Sequence, residues 1–206
     1  PCIVGFDSDA WEGGAPQGWE LTINAGKANL SLEKTDGTVA LLLKSDSASA
    51  FGISRKVNVD PAAHPVLRWK WRVDKRPPGD VRSFRTDDQA AQLYVLFREV
   101  SWPAKLNSPV IGYIWDDGSP KGAAVKSPQP LAMMVRYIVL RDKRDPLRTW
   151  MEEERNVLDD YRRLFPDIED AKIRPVVGLS IYINSHHTGS EAESRIADIR
   201  FLPSGK

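Results

Sequence analysis

Arg68, Lys70 and Arg72 recur at every second position of Val66–Asp74 (VLRWKWRVD), interleaved with Leu67, Trp69, Trp71 and Val73. A period of two belongs to a half-buried strand, so the cations share its wet face and both indoles its buried one. Such a row has the chemistry to hold carboxylates and hydroxyls; its ordinary alternative is a solvated face with cross-strand ion pairs. Asp87-Asp88 is a second group. Neighbouring side chains on extended backbone point to opposite faces, so the two are not a close acid/base pair within the dipeptide. Structural ion pairing is expected, one carboxylate meeting the cationic face and the other capping its loop, with ligand or metal binding as the alternative. Glu152 and Glu154 do share a strand face, roughly 6–7 Å apart. That spacing overlaps what a glycosidase needs, and polar-out alternation on an edge strand produces it equally. His186-His187, among Asn184, Ser185, Thr188 and Glu191, has two of the donors of a metal site if a carboxylate joins it. The chain holds three histidines, and His64 is far off in sequence, so an exposed loop is the expectation.

Strands must position these groups. Short strands are predicted over 3–6, 19–24, 28–34, 38–44, 50–59 and 66–74, then 89–98, 110–115, 132–141, 149–155, 174–184 and 195–202. In Gln89–Arg98, Leu93, Val95 and Phe97 fall on one side, Gln92 and Tyr94 on the other. Long loops follow at Lys75–Asp88 and Asp116–Pro130. One segment reads as a helix: in Asn156–Phe165 the apolar residues Val157, Leu158, Tyr161, Leu164 and Phe165 keep helical spacing, Asn156 caps and Pro166 stops it. Strands at short intervals without βαβ alternation predict an all-β fold, an antiparallel jelly-roll-like β-sandwich with one short α-helix, as one domain over residues 1–206.

Composition narrows the partners. Lys plus Arg total 29 against 28 Asp plus Glu, so there is no global field for nucleic acid or an anionic membrane. Apolar runs such as Val176–Ile183 fall far short of the ~20 residues of a membrane span. The single cysteine, Cys2, excludes an intrachain disulfide; it reads as a surface thiol, with a lipoprotein anchor as alternative. Trp11 and Trp19 lie in or beside a Gly-rich loop, where each either plugs a sandwich end or offers a stacking platform. No P-loop, dinucleotide fingerprint, G-x-S-x-G or H-E-x-x-H occurs.

The wet faces of the strongest strands carry Arg68, Lys70, Arg72, Gln92, Tyr94, Arg136, Ser180, Tyr182 and Asn184. If these strands are neighbours, guanidinium, amide and phenol groups tile one sheet and suit a glycan or acidic polysaccharide. Arg68, Arg72, Asp88, Tyr94, Arg136 and Tyr182 are the candidate ligand residues.

The chain also resembles a bacterial family of unknown function, DUF3047. The resemblance is carried by Leu67-Arg68-Trp69-Lys70-Trp71-Arg72-Val73, Pro78-Gly79, Asp87-Asp88, Tyr94-Val95-Leu96-Phe97, Tyr113-Ile114-Trp115, Asp160-Tyr161 with Phe165, and Ala197-Asp198-Ile199. It departs where Asn184-Ser185-His186-His187-Thr188 replaces an acidic loop. The opening Val4-Gly5-Phe6-Asp7 and the closing Ala197–Phe201 also resemble the first and last strands of carbohydrate-binding jelly rolls. That resemblance implies paired terminal strands and a structural calcium at Asp7 and Asp198, the alternative being turn capping and a surface ion pair. The expected role is non-catalytic binding of a carbohydrate or other polyhydroxylated or acidic ligand outside the cytoplasm, periplasmic or secreted. Two alternatives stand beside it. One is a glycan-active enzyme using Glu152 or Glu154 with Asp88; the other is a structural module of an envelope assembly, signalled by an exposed patch among the seven tryptophans.

Overall fold

The computed structural model describes residues 2–6, 10–35 and 37–204, and the side chains of Thr35 and Lys105 are outside that description. Its strands are β1 (Cys2–Ile3), β2 (Trp11–Glu12), β3 (Ala15–Pro16), β4 (Glu20–Ala25), β5 (Leu30–Thr35), β6 (Thr38–Ser45), β7 (Ala50–Val59) and β8 (Val66–Lys75). They continue as β9 (Ala91–Phe97), β10 (Val110–Trp115), β11 (Ala124–Lys126), β12 (Val135–Arg141), β13 (Met151–Asn156), β14 (Val176–Asn184) and β15 (Ala192–Leu202). One sheet runs β13-β8-β15-β6-β5 with β1 on β15, so the first and last strands pair as expected. The second runs β11-β12-β10-β9-β14-β7-β4, and β2 with β3 forms a separate hairpin. The two sheets make a β-sandwich. Its pairing is antiparallel except between β10 and β12, which run parallel because the chain leaves β10, crosses through residues 116–134 and re-enters in the same direction.

The predicted central strand behaves as its pattern requires. Leu67, Trp69, Trp71 and Val73 are buried between the sheets, and Trp69 meets Trp71 edge-on at 5.4 Å and Tyr113 at 5.3 Å. Trp71 donates its indole N–H to Glu153 at 2.9 Å, and Arg141 binds the same carboxylate at 2.7 Å. That ion pair lets Glu153 lie inside.

Helix α1 (Ala104–Asn107) is a single turn between β9 and β10. Helix α2 (Val157–Leu164) forms where predicted: Asn156 accepts the backbone N–H groups of Leu158 and Asp159, and Tyr161 lodges against Phe97 and Phe165. In β15 the sequence alternation slips. A bulge with Asp198 at φ 55° lets Ile196 enter the core before it and Ile199 and Phe201 after it. No helix of the described residues is long and apolar enough to cross a membrane.

Candidate functional site

The face of the seven-stranded sheet turned away from the sandwich interior carries a polar groove. On β9 and β14 the core takes Leu93, Val95, Ile181 and Ile183, which sends Gln92, Tyr94, Tyr182 and Asn184 to the other side. Cross-strand register sets Tyr182 opposite Gln92 and Ser180 opposite Tyr94. From β12, Tyr137 joins Tyr94 edge-on at 6.0 Å. A cavity of about 500 Å³ results, its rim completed by Asn24, Gln129, Asp87, His186 and His187.

Two glycines let the aromatic rings lie down. Gly112 of β10 sits between Tyr94 and Tyr137, and a Cβ there would come within 2.6 Å of the Tyr137 ring and 3.0 Å of the Tyr94 ring. Gly52 of β7 pairs with Tyr182, whose ring a Cβ would meet at 2.6 Å. Gly112→Ala is therefore expected to lift both phenols and to lower stability by about 1–3 kcal/mol, the usual cost of overpacking. Near-ultraviolet circular dichroism and thermal unfolding read this, and a variant with the wild-type spectrum and midpoint would contradict it.

Hydrogen bonds hold the polar floor in one arrangement. Gln92 donates to the side-chain oxygen of Asn184 at 2.7 Å and accepts from the Tyr94 hydroxyl, while Asn24 donates to the Tyr182 hydroxyl at 2.6 Å. Asn184 also accepts from the Gln89 backbone and donates to the Asp87 carbonyl, stitching the two loops at this end. Burial pushes Tyr137 up to about 12, and Tyr94 and Tyr182 are also raised chiefly by burial. All three stay protonated at neutral pH. Asp87 is raised by burial too, against donors from Gln129 at 2.8 Å and Gln89 at 3.1 Å.

Gln89 also donates to Asp116, which receives the backbone N–H groups of Val81 and Ser119. Desolvation outweighs these donors and raises Asp116 from 3.8 to about 6. The folded chain then holds a proton that the unfolded chain has released, so this group makes stability fall as pH rises from about 4 to 6. Asp116→Asn should flatten that part of the stability profile, measured by denaturant midpoints at successive pH values. An unaltered slope would refute the assignment.

The structure divides the residues singled out in the sequence. Tyr94 and Tyr182 share the groove. Asp88 lies buried at its end rather than on the cationic strand, and accepts from Thr188 through both backbone and hydroxyl. Arg68 and Arg72 are corrected: β8 belongs to the other sheet, so their strand is no neighbour of β9 or β14. Each is already neutralised there, Arg68 by Glu154, Lys70 by Asp198 at 2.8 Å, and Arg72 by Asp74 at 2.6 Å, with Arg195 linking Asp74 to Glu33. This is the solvated ion-pair face weighed as the alternative. Arg136 is corrected as well; it has the parity of Ile138 and Leu140, not of Tyr137, and its guanidinium lies 5.2 Å from the Phe165 ring centre. Glu152 and Glu154 edge the same distant sheet through β13, away from the groove.

Of the pair assigned to calcium, Asp7 lies outside the described residues and Asp198 is engaged by Lys70. Trp19 is buried against Phe6, while Trp11 and Trp102 are exposed on separate segments. Trp11, with Leu21, Ile23, Leu30, Leu32 and Lys27, lines another depression between edge strands β4 and β5. Tyr137, Gln89, Gln129 and Asn24 were missed by sequence reasoning. Asn24 had a signal, since it falls with Glu20 and Thr22 on the polar side of the Trp19–Asn24 alternation, whereas Tyr137 sits in a run that is apolar on both parities.

The family model described as a protein of unknown function, DUF3047, matches residues 10–200. No curated protein matches the chain. Among solved structures, the family 11 carbohydrate-binding module of the cellulosomal cellulase Lic26A-Cel5E of Clostridium thermocellum is similar at 5% identity, with 98% of this chain and 94% of that one covered and a TM-score of 0.50. TmCBM61 in complex with β-1,4-galactotriose gives 12% identity, coverage of 97% and 94%, and a TM-score of 0.43. Endoglucanase Cel12A from Rhodothermus marinus gives 9%, 91% and 92%, and 0.49. At such identities the first likeness shows a shared sandwich fold alone.

Proposed function

Taking as premise that the chain belongs to the DUF3047 family, we propose that it binds a carbohydrate or other polyhydroxylated ligand, without catalysis, in the groove of the seven-stranded sheet. The observation that carries this reading is the set of Tyr94, Tyr137 and Tyr182 around the amides of Gln92 and Asn184, at the scale of a few sugar rings. Aromatic faces take the apolar sides of pyranose rings, while fixed amides and phenols take the hydroxyls. A pre-bonded floor loses little side-chain entropy when a ligand arrives.

Hydrolysis is the weaker reading. Glycosidases set two carboxyl groups about 5–9.5 Å apart across the bond they cut. Asp87 is the one carboxylate among the residues lining this groove, and it is already bound by two amides. With Arg68, Arg72 and Arg136 elsewhere, a neutral ligand fits better than an acidic one. The same proposal places the protein outside the cytoplasm, acting as one sandwich domain over residues 1–206. Calorimetric titration with neutral and uronic-acid polysaccharides tests it: neutral chains are expected to bind, with Gln92→Ala weakening them. Failure of every neutral glycan to bind would overturn it.

A further inference from the structure

We propose that Asp88, His186 and His187 form a binding site for a divalent first-row transition ion such as zinc, at the end of the groove. One ligand atom from each of the three lies within 4.8 Å of the others, and His186 Nδ1 stands 3.9 Å from Asp88 Oδ1. Zinc at about 2.0–2.2 Å from each donor places its donors about 3–4 Å apart, so a small closure of the loop suffices. Two imidazoles with one carboxylate suit zinc, cobalt, nickel or copper, whereas calcium prefers all-oxygen cages.

Three further features point to a ligand. His186 Nδ1 is buried with no hydrogen-bond partner among the described residues, a state that a metal bond would relieve. The two imidazoles pack against each other, with ring centres 4.0 Å apart. The carboxylate is held as metal-binding carboxylates are held: Asp88 Oδ2 accepts Thr188 N–H at 2.6 Å and Thr188 Oγ1 at 2.8 Å, leaving Oδ1 with only a 3.3 Å contact from His187 N–H. The loops that carry these donors are tied together by Asn184, which keeps Asp88 and the two histidines at one end of the groove. Both histidines also line the groove. An ion held by three protein donors would turn its remaining positions toward that space, where vicinal hydroxyls coordinate well.

The test uses the full chain after chelator treatment, titrated with zinc or cobalt alone. One equivalent is expected to bind, with a visible cobalt spectrum. His186→Ala and His187→Ala should each weaken zinc at least about tenfold, the double variant should abolish binding, and Thr188→Val should weaken it by about tenfold or more through its hold on Asp88. His64→Ala should bind as wild type does. Both histidine positions are on the surface loop, so circular dichroism should show intact folds. Absence of zinc binding by the wild type, or wild-type affinity in the double variant, would overturn the site. No glycan enters this titration, so its failure would leave the carbohydrate reading standing.

Discussion

Trp71→Ala is expected to lower the free energy of unfolding by about 3–5 kcal/mol, the cost of emptying a large aromatic site in a close-packed core. Trp71 is fully buried, packs edge-on against Trp69 and tilted against Trp115, and supplies the N–H that Glu153 accepts. The truncation also withdraws one partner from a buried carboxylate and leaves Arg141 to hold it alone. For a chain of this length such a loss moves the melting midpoint by roughly 6–20 °C. Trp71→Phe keeps an aromatic ring in the site but loses the hydrogen bond and leaves a smaller cavity, so an intermediate loss of about 2–3 kcal/mol is expected from it. Denaturant titration separates the two. Equal midpoints for wild type and Trp71→Ala would mean that the indole does not fill the space between the sheets.

Tyr182→Ala carries the second large effect, on binding rather than on folding. Its ring lies over Gly52 and its hydroxyl is fixed by Asn24, so it enters a complex already oriented. Side chains of this kind at the centre of an interface cost ~2 kcal/mol or more when truncated, roughly a 30-fold rise in Kd. The ring is partly buried on the outer face of the sheet rather than in the core between the sheets, so the loss of stability should stay well below that of Trp71→Ala. Arg72→Ala is the matched control on the opposite sheet and should leave affinity unchanged. If Arg72→Ala weakened binding and Tyr182→Ala did not, the ligand face would have been placed on the wrong side of the sandwich.

The strands were legible because burial writes alternation into sequence. Trp69 and Trp71 could sit inside only if Arg68, Lys70 and Arg72 looked out, and the structure has them so. Asn156 and Pro166 bounded α2 for equally local reasons. Strand order was not legible, because nothing in VLRWKWRVD states which strand lies beside it. Placing β8 in the same sheet as β9 and β14 mixed two faces that the fold keeps apart, and assigned Arg68 and Arg72 to a ligand when Glu154 and Asp74 already hold them. Arg136 failed for a smaller reason: Tyr137, Ile138, Val139 and Leu140 are apolar on both parities, so charge alone points Arg136 outward, and Tyr137 is the residue that faces the groove. Asp88 and the histidines, some hundred positions apart, meet only because β9 and β14 are adjacent antiparallel strands whose flanking loops fall at one end.

The central claim is that ligand lies on the seven-stranded sheet, over Tyr94, Tyr137 and Tyr182. The most direct measurement is a heteronuclear NMR titration of the labelled protein with a neutral oligosaccharide that binds it. Shifts are expected to cluster on Asn24, Gln92, Tyr94, Gly112, Tyr137, Tyr182 and Asn184, while Arg68, Lys70, Arg72, Glu152 and Glu154 stay still. Shifts confined to the β8–β13 face, with the tyrosine cluster silent at saturation, would contradict the account.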